Sequence, residues 1–329
     1  MSTTPTVRAT RSRHAVPSPR LRRHHFAPRY WGTWIGIAVL RATAFLPMTL
    51  ARGLGTLLGL LLYAANAKRR EIARVNIALC FPELDESKRR RFLRRHYITS
   101  GQAYVDLGLL AWGSKRRVLR CARIHGLENY RTLARSGRPI ILLSPHSVGM
   151  NFGGTVVSHH HMTFSMFKPQ RNSLINWLLN KGRMRFGAWL VAREQGLRPV
   201  VRGLKHGSAF YYLPDEDFGP KHSVFAPFFG VPTATLAILG RLAESANAVV
   251  VPCFTRVAPR GRGYDVYLRP PLEHFPTGDA VADAARMNQV LEEGIRLAPE
   301  QYLWTFKLFK TRPAGERSPY PARRRRHGR

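Results

Sequence analysis

Residues 144–154, "SPHSVGMNFGG", place a histidine and an asparagine five positions apart among small and apolar residues. His146 follows the apolar run "PIILL", which predicts a buried strand, and Asn151 lies where the next helix is expected. An imidazole at such a strand end can act as a general base at neutral pH, and helix N–H groups can stabilise a developing negative charge. Asn151 can orient the ring through its side-chain oxygen but adds no charge. The alternative is a histidine with a purely structural role.

Two further clusters are predicted to lie at the same edge of the sheet. The segment "PDEDFGP" follows the strand-like run "AFYYL" and supplies three carboxylates, those of Asp215, Glu216 and Asp217. The segment "NKGRMRFG" carries Arg183 and Arg185, whose guanidinium groups suit phosphate or carboxylate. Because ligands of open α/β sheets bind outside the carboxyl ends of the strands, the three loops together predict a catalytic site. Taken separately, the acidic cluster is typical of a solvated turn and the arginines of a helix C-terminus.

The histidine triplet at 159–161 resembles a metal-binding cluster. Three adjacent histidines in a strand cannot all face one ion, because neighbouring side chains point to opposite faces. We interpret the triplet as the polar start of a strand, and we expect neither a metal nor a cofactor.

Short β-rich runs alternate with helical stretches along the body of the chain. Strands are predicted in "VLRCARIHG", "PIILLS", "MTFSMF", "AWLVA", "AFYYL", "AVVVPCFTRV" and "GYDVYLR", and helices at 127–135, 147–157, 173–181, 198–206, 233–246 and 279–297. Asp85 is expected to cap a long helix that runs to about Trp112. Strands separated by helices of this length predict an α/β fold with a mostly parallel sheet flanked by helices.

The formal net charge is +34, and the two termini carry only part of it. Residues 1–29 hold seven arginines and no acid, and residues 314–329 hold six arginines and one glutamate, so that +22 remains on the body. Both ends are rich in Pro, Ser and Arg, and we expect them to be disordered. The basic body favours an anionic partner. The three cysteines lack disulfide or metal spacing and are expected to be reduced.

Residues 30–67 are strongly apolar and are predicted to associate with a membrane. Arg41, Pro47 and Arg52 interrupt the segment, and its longest charge-free run, Gly53–Ala67, is shorter than the ~20 residues that span a bilayer. Basic residues flank both sides, which favours keeping both ends on the cytoplasmic side. The preferred interpretation is a pair of helices lying in the inner leaflet. A buried helical hairpin and a single span are the alternatives.

Several blocks of the sequence resemble the successive motifs of one known family. They are "SPHSVGMNFGG", "NSLINWLLNKGRMRFG", "YYLPDEDFGPKHSVFAPFFGVPTAT" and "APEQYLWTFKLFKTRP", and "KRREIARVNIALCFPEL" is similar to that family's N-terminal signature. The family is that of the bacterial lipid A late acyltransferases, the lauroyl and myristoyl transferases. The resemblance runs from about Tyr30 to Pro313. We divide this stretch into membrane-associating helices at 30–67 and a glycerolipid-acyltransferase-like domain at 68–313.

The resemblance implies a membrane-associated enzyme that moves an acyl chain from acyl carrier protein to a hydroxyl of a phosphorylated glycolipid precursor. It implies a dyad of the pattern H-x4-D/E, in which His146 matches the histidine and Asn151 occupies the carboxylate position. The family's functional arginine and aspartate each carry over to one of two candidates, which are Arg183 or Arg185 and Asp215 or Asp217.

Two departures from the family pattern bear on this interpretation. An asparagine replaces the dyad's carboxylate, which is compatible with activity because papain-like enzymes use asparagine naturally, especially if Asp215 or Asp217 supplies the charge. The usual "WxHRRFKTRP" is replaced by "WTFKLFKTRP", so that Phe306, Lys307 and Leu308 stand at polar or basic positions. This replacement indicates that the acceptor can differ from the family's usual one.

The sequence therefore predicts an acyl-carrier-protein-dependent acyltransferase at the cytoplasmic face of the inner membrane, with His146 as general base. Its expected partners are an acyl carrier protein thioester, a phosphorylated glycolipid acceptor and the phospholipid surface. No nucleic acid is expected, because the body lacks nucleic-acid-binding motifs. The alternatives are an acyltransferase for another membrane lipid, such as a glycerolipid or aminolipid, a catalytically degenerate membrane-bound paralogue, and a non-enzymatic binder.

Overall fold

The computed structural model describes residues 15–261 and 263–321. Its helices are α1 (Trp31–Thr43), α2 (Met48–Ala65), α3 (Ala67–Cys80), α4 (Glu86–Trp112), α5 (Lys115–Arg120), α6 (Leu127–Arg135), α7 (Met150–His160), α8 (Ser173–Arg183), α9 (Arg198–Lys205), α10 (Leu239–Ala246) and α11 (Ala280–Arg296). Its strands are β1 (Ala122–His125), β2 (Ile140–Leu143), β3 (Thr163–Phe167), β4 (Trp189–Ala192), β5 (Ala209–Tyr212), β6 (Ser223–Phe228), β7 (Val231–Leu236), β8 (Val249–Val257) and β9 (Tyr264–Leu268). Short 3₁₀ helices lie at Arg23–Phe26, Pro28–Tyr30, Arg193–Gln195, Pro220–His222, Pro259–Gly261 and Pro299–Gln301.

Seven strands form one sheet in the order β1-β9-β8-β2-β5-β3-β4. Every neighbouring pair is parallel except β8 with β9, which are antiparallel. The central strand β2 is fully buried, as expected for a parallel strand with helices on both faces. The predicted α/β class with a mostly parallel, helix-flanked sheet is confirmed.

The predicted helix at 233–246 is wrong over its first half. Val231–Leu236 instead pairs antiparallel with Ser223–Phe228 in a separate two-stranded sheet. Phe229 and Gly230 connect the two strands with positive φ angles of 50° and 76°, the backbone that a tight hairpin turn requires. Because "VPTATL" alternates β-branched with other residues, its period of two outweighs any helical period.

The described parts of both termini pack on the body, although the sequence predicted disorder there. The Val16 N–H donates to the Leu190 carbonyl at 2.8 Å, and His25 is buried. At the other end Tyr320 is buried, and its hydroxyl donates to the Asn76 side chain. Single anchoring contacts of this kind leave no periodic signal in the sequence. The expectation of disorder for residues 1–14 and 322–329 lies outside the described residues.

The predicted membrane-associating segment folds as α1 and α2, and both helices pack on α4. Within the described part of the chain, α2 is one helix that is long and apolar enough to cross a membrane by length and composition. Its Arg52 does not face outward. The side chain is buried and forms an ion pair with Asp106 Oδ2 of α4 at 2.9 Å, while the Tyr264 hydroxyl donates to the same oxygen.

Glycines allow α2 and α4 to approach closely. A Cβ atom at Gly59 would lie 2.3 Å from the Tyr97 carbonyl oxygen, and one at Gly101 would lie 2.2 Å from the Gly55 carbonyl oxygen. Real Cβ atoms do not approach a backbone oxygen so closely, so only glycine permits this packing. The glycine contact and the Arg52 ion pair together fix α2 on the body of the protein.

We expect Gly59→Leu to lower the free energy of unfolding by about 2 kcal/mol or more, because the new side chain must push α2 away from α4. Gly53→Leu is the matched control, since Gly53 is exposed on the same helix and a Cβ there meets no atom within 4 Å. Urea unfolding of the two detergent-solubilised variants, followed by circular dichroism, measures the difference. Equal midpoints would contradict the packing described here.

Candidate active site

The loops after β2 and β5 meet because the two strands are adjacent and parallel. Leu143, the last residue of β2, pairs with Tyr212, the last residue of β5. His146 and Asp215 each lie three residues beyond that pair. Asp215 Oδ1 lies 2.6 Å from His146 Nδ1, and Asp215 Oδ2 accepts the His146 backbone N–H at 2.7 Å. One carboxylate therefore fixes both the ring and the main chain of the histidine.

This pairing determines the charge state of both groups. Burial by itself would lower the pKa of His146, but the Asp215 charge and hydrogen bond, with help from Glu216, raise it above its usual value. Burial by itself would raise the pKa of Asp215, but the His146 charge and hydrogen bonds, with a contribution from the Tyr302 hydroxyl, lower it. When Nδ1–H donates to Asp215, Nε2 is left as the proton acceptor.

Asp217 has a different environment from Asp215. Its carboxylate accepts the Thr311 backbone N–H at 2.6 Å, the Thr311 hydroxyl at 2.8 Å and the Gly219 N–H at 2.9 Å. The side chain is almost fully buried, with Lys310 Nζ at 3.7 Å. The sequence left the choice between the two aspartates open. The geometry brings Asp215 to His146, whereas Asp217 fastens the C-terminal "KTRP" segment to the acidic loop.

The sequence interpretation expected Asn151 to orient the histidine ring, but the Asn151 side chain contacts Arg183 instead. Its Oδ1 accepts a hydrogen bond from Arg183 Nε at 2.7 Å, since Asp215 already occupies His146 Nδ1. Burial lowers the pKa of Arg183 to about 10, so the guanidinium remains charged at neutral pH. Arg185 is held elsewhere, because its NH1 donates to the Leu110 carbonyl of α4 at 3.0 Å. The geometry thus brings Arg183, and not Arg185, to the histidine.

A cavity of about 90 Å³ lies between these groups. His146, Asn151 and Arg183 line it on the polar side, and Trp189 and Leu213 are among the residues that form its apolar wall. Apart from the bond from Nε to Asn151, the Arg183 side chain makes no hydrogen bond to the described residues, which leaves its terminal nitrogens for a ligand. A base, a cation and an apolar wall around one cavity suit attack on a carbonyl carbon with stabilisation of the resulting oxyanion.

Two side chains that were not predicted as site residues contact the His146 ring. Glu216 Oε1 lies 3.7 Å from Nε2, while its other oxygen accepts from Arg193 at 3.4 Å. Phe306 packs its ring edge-on at a centroid distance of 5.3 Å. The Leu303 N–H also donates to the His146 carbonyl at 2.9 Å, so the "APEQYLWTFKLFKTRP" block forms one side of the site. That block's resemblance to a family motif was the available signal.

Two histidines of the triplet, His160 and His161, use ring nitrogens in contacts within the protein. His159 and His160 end α7 rather than start a strand, so our interpretation was wrong for these two residues. The Tyr130 hydroxyl donates to His161 Nδ1 at 2.8 Å, and His161 Nε2 donates to the Gly207 carbonyl at 2.8 Å. Among the residues that the structure describes, no group of three or more His, Cys, Asp or Glu side chains is placed to hold a metal ion.

Comparison with known proteins gives one consistent result. The sequence profile of the family described as bacterial lipid A biosynthesis acyltransferase matches residues 19–311. The lipid A biosynthesis lauroyltransferase of Escherichia coli K12 is 36% identical over 294 residues, which cover 89% of this chain and 96% of that protein. The lipid A biosynthesis palmitoleoyltransferase of the same organism is 34% identical over 308 residues, covering 92% and 99% of the two chains.

A relative from a second organism has a similar level of identity. A lipid A biosynthesis acyltransferase of Haemophilus influenzae is 34% identical over 293 residues, covering 89% of this chain and 92% of that protein. The matches therefore extend over the helical N-terminal segment, the sheet and the loops that form the cavity.

We expect Asp215→Asn to lower the pKa of His146, because the charge that favours the imidazolium is removed while burial remains. Histidine ring NMR signals recorded against pH measure this value, and comparison with His146→Gln assigns the resonance. Asp217→Asn is the control and should leave the His146 pKa unchanged, since Asp217 bonds to Thr311 and Gly219. An unchanged His146 pKa in Asp215→Asn would show that Asp215 does not hold the ring.

Proposed function

We propose that this chain, an acyltransferase that belongs to the bacterial lipid A biosynthesis acyltransferase family, moves a fatty acyl chain from acyl carrier protein to a hydroxyl of a phosphorylated lipid A precursor. The observation that carries the proposed mechanism is the Asp215–His146 pair beside a cavity that also holds Arg183. In this mechanism His146 is the general base, Asp215 orients and charges it, and Arg183 stabilises the oxyanion.

The first step joins the acceptor to the acyl group. His146 Nε2 takes the proton of the acceptor hydroxyl while the hydroxyl oxygen forms a bond to the thioester carbonyl carbon. The imidazolium that forms is stabilised by Asp215, which keeps its charge because its pKa is lowered. The carbonyl oxygen becomes an oxyanion, and the Arg183 guanidinium can donate hydrogen bonds to it from its terminal nitrogens.

The second step releases the carrier. The tetrahedral intermediate collapses, the carbon–sulfur bond breaks, and His146 Nε2 returns its proton to the departing sulfur. The products are an ester on the acceptor and a free thiol on the carrier, so protons and electrons balance without a cofactor. Each group that these steps need is present in the chain, which is why we prefer an active enzyme to a degenerate paralogue.

Asn151 acts in this scheme by positioning Arg183. Its amide oxygen holds Nε, while a carboxylate at the same position would also neutralise part of the guanidinium charge. The amide therefore leaves Arg183 with its full charge at the cavity. This arrangement accounts for the departure from the H-x4-D/E pattern without loss of the oxyanion-binding group.

We further propose that α1 and α2 attach the protein to the cytoplasmic face of the inner membrane. Leu50, Leu54, Leu57 and Leu61 form an exposed stripe on α2, opposite the face that packs on α4. Trp31, Ile35, Val39 and Phe45 extend the exposed apolar surface over α1 and the turn that follows it. Soluble surfaces rarely expose a patch of this kind. Because only one side of α2 is apolar and free, the helix suits the membrane interface better than a span surrounded by lipid.

We expect the purified protein to esterify a lipid A precursor when supplied with acyl carrier protein thioester. His146→Ala should reduce kcat by about a thousandfold, because general base catalysis is lost. The rate of the wild type should fall as the pH falls through the raised pKa of His146, since the imidazolium cannot accept a proton. Mass spectrometry of the products measures both effects.

His206→Ala is a matched control for this assay, because His206 is an exposed histidine at the end of α9. A wild-type rate for His146→Ala would remove His146 from the mechanism. Acylation of a glycerolipid or aminolipid, but not of lipid A precursors, would show that the acceptor is another membrane lipid.

Leu57→Glu should lower partitioning onto vesicles of anionic phospholipid by about tenfold, because the proposed contact of an exposed leucine with lipid is replaced by a charge. Val281→Glu is the control, since Val281 is similarly exposed but lies on α11. Vesicle sedimentation measures the partitioning. Equal partitioning of the two variants would contradict attachment through α2, and a periplasmic reporter signal from a fusion to either end would contradict the cytoplasmic location.

A further inference from the structure

We propose that the groove between α9 and α10 is the docking site for acyl carrier protein, and that it receives an acidic amphipathic helix of that protein. This inference rests on the proposed function, because it assumes that the acyl donor is carried by a protein. It adds a surface and a binding mode that the chemistry of the active site does not specify.

The groove has an apolar floor. It is lined by Leu197 and Val201 at the start of α9 and by Ile238 and Leu242 at the start of α10, and its volume is about 510 Å³. Leu197, the residue before α9, is 38% exposed, so part of this apolar floor faces solvent. A floor of this kind suits the apolar face of a partner helix, in the helix-in-groove mode of recognition.

Positive charges stand on both walls of the groove. Arg198 on α9 and Arg241 on α10 are exposed, and neither forms an ion pair within the described residues. Lys205 is also exposed on α9. The exposed acids closest in the chain are Glu194 and Glu244, so positive charge predominates. Paired arginines beside an apolar floor complement a helix whose rim is acidic and whose centre is apolar.

The groove opens at the edge of the sheet that holds the active site. β4 ends at Ala192 on that edge, and a 3₁₀ helix that contains Arg193 leads directly into α9. Arg193 contacts Glu216 at 3.4 Å, and Glu216 lies 3.7 Å from His146 Nε2. Arg193 and Glu216 thus connect the 3₁₀ helix that precedes α9 with the histidine. In this proposal, a thioester on a flexible arm reaches the histidine from the groove past Arg193 and Glu216.

The groove also lies apart from the surface that we assign to the membrane. α1 packs on α4 and α8, and α2 packs on α3 and α4, while α9 packs on α10, and α10 on α11. A soluble protein can therefore occupy the groove while α1 and α2 face lipid.

The test compares a donor carried by protein with a small donor. For the double variant Arg198→Glu/Arg241→Glu, kcat/KM is measured with acyl carrier protein thioester and with the same acyl group on pantetheine. We expect the ratio of the first to the second to fall about tenfold or more, mainly through KM, because reversed charges repel an acidic partner. Titration of acyl carrier protein into the detergent-solubilised full chain should show a similar loss of affinity, which diminishes at high salt.

Arg135→Glu/Arg138→Glu is the matched control, since both residues are exposed near the amino ends of the strands and the change in net charge is the same. An unchanged ratio in the groove variant, or an equal fall in the control, would overturn the docking site while leaving the proposed function intact. Loss of vesicle binding with an unchanged ratio would assign the groove to lipid instead. If the wild type neither binds acyl carrier protein nor accepts its thioester, the proposed donor is wrong and the docking site with it.

Discussion

The parallel pairing of β2 with β5 is the constraint on which the candidate site depends. It places the loops that carry His146 and Asp215 at equal distances beyond one strand pair, and the Ser144 N–H extends that pair by bonding to the Tyr212 carbonyl. A carboxylate buried beside an imidazole is costly unless each group finds a partner. Here Asp215 bonds to both the ring and the backbone of His146, so a shift of either loop would leave buried polar groups unpaired. The same pairing that fixes the fold therefore also fixes the position of the base.

The amide at Asn151 shows how a change of one residue type alters the charge of a site while its geometry is kept. The side chain still bonds to Arg183, which is the contact that a carboxylate there could also make. An ion pair would divide the arginine's attraction between the carboxylate and a ligand, whereas the amide leaves the guanidinium charge to the ligand. Burial lowers the pKa of Arg183 to about 10, which still keeps it charged at neutral pH. With asparagine in place of a carboxylate, the site thus has one negative charge less, and the Arg183 Nε–H still has a hydrogen-bond acceptor.

The sequence predicted the features that depend on local periodicity. The α/β class, the helix at Leu127–Arg135 and the cap at Asp85 followed from spacing and composition. The β6–β7 hairpin was missed in part because a tight turn at Phe229 and Gly230 reverses the chain within what was read as the approach to a helix. The choice between Asp215 and Asp217 depends on contacts between distant parts of the chain. Asp215 contacts His146, and Asp217 contacts Thr311, which is 94 positions away. No local pattern carries such a contact, and for the same reason the partner of Asn151 was misassigned.

The two proposed substrates, the glycolipid acceptor and the acyl carrier protein thioester, are expected to approach the same sheet edge from different sides. The exposed leucines of α2 form the surface that we propose to contact lipid, and the glycine contact with α4 holds that helix on the body. The glycolipid acceptor is thus expected on the side of α1, α2 and α8, where Arg183 ends α8 beside the cavity. The groove between α9 and α10 lies beside α11, and Arg193, which precedes α9, contacts Glu216 near His146. In the proposed mechanism, a hydroxyl from the lipid side and a thioester from the groove side therefore reach the cavity beside His146 Nε2 by separate approaches.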